Sequence, residues 1–172
     1  MTPPIVWRCF SVKLIIMKLI IGLGNPGEKY KNNRHNVGQI FIGKLQLISH
    51  NKNILLKKSG SFMNDSGDFV KSILTKSKLE TSNLYIIHDD LDITLGSYKI
   101  QFGKGPKIHN GINDIQEKLG TSDFWYVRVG VDNRDPNNRI PGEQYVLEDF
   151  TNEERDIIDK VIDEICKKLV IS

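Results

Sequence analysis

The chain has 172 residues, of which 39% are hydrophobic and 26% charged, with a formal net charge of +3. Those values fit one ordinary globular domain and exclude a collagen-like, disulfide-scaffold or charge-dominated disordered protein. The charge is uneven: residues 151–172 hold six acids against four bases, so the basic excess lies upstream and is compatible with a polyanionic partner.

Residues 1–16, MTPPIVWRCFSVKLII, contain no acid and precede a second methionine. Arg8, Ser11 and Lys13 give them features of an organellar transit peptide. The preferred expectation is a disordered extension or a start-site error, with the domain running over 17–172. Cys9 and Cys166 stand near opposite ends without metal-ligand spacing and read as free thiols of a reducing compartment. No uninterrupted run of about 18 apolar residues occurs, so no membrane-spanning helix is expected.

A buried strand is predicted over 17–23. It leads into Gly22-Leu23-Gly24-Asn25-Pro26-Gly27, a literal G-x-G-x-x-G. A dinucleotide site needs a helix opening at the last glycine and an acid about 20 residues later for the ribose. Here Pro26 pushes Asn25 toward extended angles. Residues 28–36 lack helical periodicity, and no acid occurs between Glu28 and Asp65. The context excludes a dinucleotide fingerprint.

Two short apolar runs, 39–48 and 53–58, with the polar SHNKN between them, predict a hairpin. Phe69, Val70, Ile73 and Leu74 share one face of a helix expected over 66–79. A strand over 83–87 runs into His88-Asp89-Asp90-Leu91-Asp92. SYKIQF alternates as a strand and GKGPK reads as a loop. Ile112, Ile115 and Leu119 then mark a helix that stops at Gly120. Residues 124–131 alternate as a further strand, and 132–142 form a loop rich in Pro, Asn and Arg. The last helix opens with a Thr151/Glu154 capping box and carries a stripe of Ile158, Val161, Ile162, Ile165 and Leu169. This interleaving predicts an α/β fold: a single-domain three-layer sandwich, a mixed twisted sheet with helices on both faces.

Polar and titratable residues gather at strand ends: Asn25, Asn64, His88 to Asp92, and His109-Asn110. Sites in α/β folds form outside the carboxyl ends of strands. Asn64 taken singly reads as a helix cap, whereas the four groups together read as one site rim. No G-x-S-x-G elbow exists and neither cysteine has a nucleophile's setting, which leaves water activated by a base or a metal. The acids after His88, with His35 or His109, are a conceivable cation site. However, H-E-x-x-H-type spacings are absent and consecutive acids alternate faces on a strand.

GLGNPGEKYKNNRHNVG, FMNDSG, IIHDDLDITLG, HNGINDI and YVLEDF stand in the order and context of bacterial-type peptidyl-tRNA hydrolases. The chain resembles that family from about Met17 to Phe150. The resemblance implies a metal-independent, cofactor-free esterase that frees tRNA from peptidyl-tRNA. By motif, His35 is implied as general base and Asp89 as the carboxylate orienting it. Asn25, Tyr30, Met63, Asn64, His109 and Asn110 are implied around the substrate, and Lys99 and Arg128 on tRNA phosphates. A cytoplasmic monomer without membrane association is expected. The alternatives are a catalytically inactive RNA-binding relative, of the kind represented by a plant organellar splicing cofactor, and a metal-dependent hydrolase. Retention of His35, Asp89 and the three asparagines favours the enzyme.

The chain also departs from the family. Between His35 and Asn64 it is shorter by about one helix, which predicts uncovered apolar surface near Ile40 and Phe41. The family's K-P-x-T-[FY]-M-N reads Lys58-Ser59-Gly60-Ser61-Phe62-Met63-Asn64 here, without proline. Lys104, Lys107 and Ile108 take glycine positions in the lid before His109, adding stiffness and positive charge. Gln101 stands where a second basic residue is usual.

Overall fold

A computed structural model describes residues 17–137 and 139–171. The expectations for residues 1–16, including Cys9, lie outside the described residues. Among the described residues five strands and five α-helices, besides short 3-10 turns, follow one another as β1 (Lys18–Gly22), α1 (Val37–Ile48), β2 (Ile54–Lys58), α2 (Ser66–Ser77), β3 (Leu84–Thr94), β4 (Tyr98–Phe102), α3 (Asn110–Leu119), β5 (Trp125–Asp132), α4 (Gly142–Val146) and α5 (Asn152–Ile171). The sheet order is β2-β1-β3-β5-β4. β4 alone runs antiparallel, pairing Lys99 with Arg128, so the sheet is mixed as expected.

Period-2 alternation sends successive strand residues to opposite faces, and here both faces are covered. Ile20, Ile87, Val127 and Val129 pack with Phe41 and Ile42 of α1 and Ile158, Ile162 and Ile165 of α5. Leu19, Ile21, Leu84, Ile86 and Tyr126 pack on the other side with Val70 and Leu74 of α2 and Ile112 and Ile115 of α3. These are the three layers.

The predicted hairpin is overturned. Residues 37–48 form α1, and β2 pairs parallel with β1, not with the run before it. Val37, Phe41, Ile42 and Leu45 recur at helical spacing, and a parallel neighbour requires a crossover that two adjacent antiparallel strands could not supply. The predicted bare surface fails for the same reason. Phe41 is fully buried by its own helix on the sheet, and Ile40 packs at the edge of that core.

The glycines of the literal G-x-G-x-x-G serve this packing. A Cβ on Gly22 would fall 2.0 Å from the Gly38 carbonyl oxygen, and one on Gly38 would fall 2.3 Å from the Ile87 carbonyl oxygen. Strand and helix backbones thus meet with no side chain between them, and the same approach sets His35, just before α1, beside the end of β3.

At the last helix the capping box forms in both directions: Glu154 N–H donates to Thr151 Oγ1 at 3.3 Å, and Thr151 N–H to Glu154 Oε2 at 3.0 Å. Gly120 ends α3 in the left-handed region with φ 70°. The helix α4 within the expected loop-to-helix passage was not visible as a sequence pattern. Cys166 is a buried free thiol that burial pushes up to about 11.

Candidate active site

The carboxyl ends of β1 and β3 and the N-terminus of α3 open onto one cleft of about 770 Å³. Asn25, His35, Met63, Asn64, Asp89, His109 and Asn110 all line it. Four separated stretches of chain therefore converge, as their positions at strand ends led one to expect.

At its centre, Asp89 Oδ1 takes two imidazoles. His35 Nδ1 lies 2.8 Å away and His109 Nε2 3.1 Å away. The network assigns the tautomers. His109 is the N-cap of α3, and its Nδ1 accepts from Ile112 N–H at 3.3 Å, so the proton sits on Nε2 and points at Asp89. An ionised Asp89 only accepts, so His35 carries its proton on Nδ1. Its Nε2 is the ring nitrogen left for the cleft.

Burial by itself would raise the Asp89 carboxyl. The electrostatic pull of the His35 and His109 rings and their two hydrogen bonds outweigh burial and hold it well below the usual carboxylate range. Burial lowers His35, but the Asp89 charge and hydrogen bond together exceed it and leave that imidazole above its ordinary value. His88, fully buried, is pushed down to about 3, chiefly by burial and then by His109, and stays neutral. Its Nδ1–H donates to the Asp89 backbone oxygen at 2.7 Å.

The asparagines are prepared in different ways. Asn25 Oδ1 accepts Met63 N–H at 2.9 Å, which turns its NH₂ group away from that bond as a donor. Asn36, buried and missed by the sequence reading, clasps the Asn25 backbone: its Oδ1 takes Asn25 N–H at 2.8 Å and its Nδ2 donates to Asn25 O at 2.9 Å. Gln39 Nε2 ties Gly24 O and Ser59 O together at 2.8 and 3.0 Å. Asn64 does not cap α2, whose N-cap is Asp65 without a side-chain bond. Asn64 and Asn110 are exposed on the cleft with no side-chain hydrogen bond among the described residues.

Two expected residues stand elsewhere. Tyr30, in the turn Glu28–Tyr30, lies under the Lys29 ammonium at 4.6 Å and is not among the residues lining the cleft. Arg128 is only 6% exposed: its Nε donates to Asp90 Oδ2 at 2.7 Å and its Nη1 to Gln101 Oε1 at 3.1 Å. Lys99 is exposed on β4.

One group among the described residues has metal-ligand atoms close together: His35, Asp89 and His109, within 4.8 Å of one another. Both ring nitrogens present N–H groups to the same carboxylate oxygen, so a cation there would have to displace two protons. This donor set fits a hydrogen-bonded base better than a metal centre. No helix among the described residues is long and apolar enough to cross a membrane.

The family model described as peptidyl-tRNA hydrolase matches residues 19–49 and 39–172. A peptidyl-tRNA hydrolase of Pseudothermotoga lettingae is 37% identical over 161 residues, covering 86% of this chain and 85% of the relative. One of Metamycoplasma arthritidis is 34% identical over 168 residues, covering 90% of each. A crystal structure of a peptidyl-tRNA hydrolase in complex with n-propanol superposes with a TM-score of 0.80 at 26% identity, covering 91% of this chain and 88% of that one. The Acinetobacter baumannii enzyme at 1.00 Å resolution gives 0.76 at 27% identity, covering 90% and 88%. A [NiFe] hydrogenase maturation protease of Thermococcus kodakarensis, at TM-score 0.54 and 13% identity with 88% and 91% covered, shares the fold alone. By the family model, by relatives spanning most of both chains and by structure, the chain belongs to the peptidyl-tRNA hydrolase family.

Proposed function

We propose that this chain hydrolyses the ester joining a peptide to the 3′-terminal ribose of tRNA, with His35 as the base toward water. The observation that carries the reading is the orientation of His35. Its Nδ1–H is bound to the buried Asp89 at 2.8 Å, and Nε2 is left for the cleft.

Water on Nε2 gives up a proton as its oxygen bonds to the ester carbon, and Asp89 supports the imidazolium that forms. The carbonyl oxygen gains the charge. The Asn25 amide, fixed through Met63, is aimed for this developing oxyanion, with Asn64 and Asn110 as further neutral donors to ester and peptide. Collapse breaks the bond to the ribose 3′-oxygen, which takes the proton back from His35. His109 steadies Asp89 from the far side, and Met63 floors the cleft. Lys99 meets a tRNA phosphate. The protein works as a monomer in the cytoplasm.

The test is release of uncharged tRNA from N-acetyl-aminoacyl-tRNA. The parent should cleave, and His35→Ala should lose about 10²- to 10⁴-fold in turnover with substrate binding kept. A folded parent that binds tRNA without cleaving it would instead favour the RNA-binding relative.

A further inference from the structure

The strands β1 and β2 part at their carboxyl ends. Their parallel ladder runs from Lys18↔Ile54 to Gly22↔Lys58, and Ser59 N–H adds one further bond to Gly22 O at 2.9 Å. Beyond that point Leu23 N–H turns to Ile87 O of β3, also at 2.9 Å. The carbonyls of Gly24 and Ser59 then face the gap, and two acceptors cannot satisfy each other. Gln39 supplies the donor. Its Nε2 reaches Gly24 O at 2.8 Å and Ser59 O at 3.0 Å, one hydrogen to each. With both neighbours acceptors, the nitrogen and not the oxygen of this amide faces them.

The Gly24 carbonyl belongs to the same planar peptide unit as Asn25 N–H, which Asn36 Oδ1 holds at 2.8 Å. Asn36, the N-cap of α1, and Gln39, in its first turn, therefore grip the two ends of one rigid group. The Gln39 backbone adds a third tie, donating to Leu23 O at 3.1 Å. A Cβ on Gly24 would lie 2.8 Å from Gln39 Cγ, so the side chain is packed against this unit as well as bonded to it. On the other strand, Ser59 is buried and stands shortly before Met63, whose N–H fixes Asn25 Oδ1. One amide thus sets the separation of the two segments that the Asn25–Met63 bond spans. Gln39 itself is not among the residues lining the cleft.

We propose that Gln39 is a positioning residue for the ester hydrolysis: through the Gly24 and Ser59 carbonyls it holds the Asn25 amide in the attitude that meets the developing oxyanion, without touching substrate. The inference rests on the hydrolase reading above. An oxyanion donor acts fully only if it is already aimed when charge develops, so loosening it raises the barrier more than it weakens ground-state binding. The role therefore predicts a lower kcat with KM kept, and a dependence on Asn25.

The experiment measures kcat and KM of the full chain on N-acetyl-aminoacyl-tRNA for the parent, Gln39→Met, Asn25→Ala and the double variant, with urea midpoints taken alongside. Gln39→Met keeps the length of the side chain and its packing on Gly24 and removes the N–H groups. It should lower kcat by about 10- to 100-fold and leave KM within about twofold. In the Asn25→Ala background the same substitution should change kcat by less than about twofold, since the group it positions is gone. If Gln39→Met melts early, Gln39→Asn, which retracts the amide by one methylene, makes the same comparison. A parent that cleaves, with kcat kept in a folded Gln39 variant, a loss confined to KM, or a full further loss on top of Asn25→Ala, overturns the positioning role alone. A parent that does not cleave the ester overturns the hydrolase reading and the positioning role with it.

Discussion

Asp89 does two jobs at one oxygen. It fixes which nitrogen of His35 is protonated, and its charge holds that imidazole above its ordinary value against the pull of burial. The base works only when neutral, so activity should fall as pH drops through a folded His35 value higher than about 6.5. In Asp89→Asn the hydrogen-bond acceptor remains while the charge is gone, and burial is then the dominant influence on His35. The acid limb of kcat should therefore move to lower pH in that variant, with the plateau reduced. A pH–rate profile checks this, and a limb at the parental position would show that Asp89 does not set the His35 equilibrium. The same linkage acts on folding. The depressed Asp89 carboxyl contributes stability at pH above its unfolded value, and this is lost as pH falls through the folded one.

Among the elements, α5 reaches back to the turn that carries His35. Arg34, immediately before His35 in the short turn Arg34–Asn36, is buried with its Nη2 2.7 Å from Glu154 Oε2, and its guanidinium lies 3.9 Å over the Tyr145 ring. Glu154 also accepts from Tyr145 OH and Asn133 Nδ2, each at 3.3 Å, besides closing the capping box. One carboxylate thus ties α5, α4 and the His35 turn together. Removing it in Glu154→Ala takes away the closer of the two carboxylates at the buried Arg34 and leaves only Glu148, 3.7 Å from its Nη1, at a cost of about 3 kcal/mol. Urea unfolding monitored by circular dichroism should show that loss as a lower midpoint with an unchanged slope. A change below about 1 kcal/mol would mean that Arg34 finds water in place of Glu154.

For the molecule as a whole, the cleft lies where the carboxyl ends of β1 and β3 and the N-terminus of α3 meet the turns that carry His35 and Asn64. The His35, Asp89 and His109 atoms that could ligate a metal are engaged with one another. Turnover of N-acetyl-aminoacyl-tRNA should accordingly survive EDTA at parental rate. A loss of activity restored by added zinc would turn the same three residues into a metal centre. The hydrogenase maturation protease that shares the fold at 13% identity illustrates why chemistry is argued from side chains and not from architecture. The alignment to the Metamycoplasma arthritidis relative spans 168 positions while drawing on 90% of this chain, so that relative carries residues absent here. Their absence does not bare the sheet, because α1 is present and packed.

Much of this was legible in the order of residues alone. The stripe and capping box of α5, the stop at Gly120 and the strands over 17–23 and 124–131 are local patterns, set by a period or by a pair three residues apart. The motifs around Asn25, His35, Asn64, Asp89 and Asn110 also pointed to one rim, since strand ends of an α/β sheet open on the same side. Tertiary structure decided the rest. A ten-residue apolar run such as 39–48 packs as strand or helix according to what lies beside it, and only parallel pairing of β2 with β1 makes it α1. Arg128 reads as a free cation until Asp90, 38 residues away, is brought to 2.7 Å. The clasp of Asn36 on Asn25, the second imidazole on Asp89 and the grip of Glu154 on Arg34, 120 residues apart, likewise leave no local trace. Periodicity is written along the chain, whereas the partner of a charge is chosen by the fold that buries it.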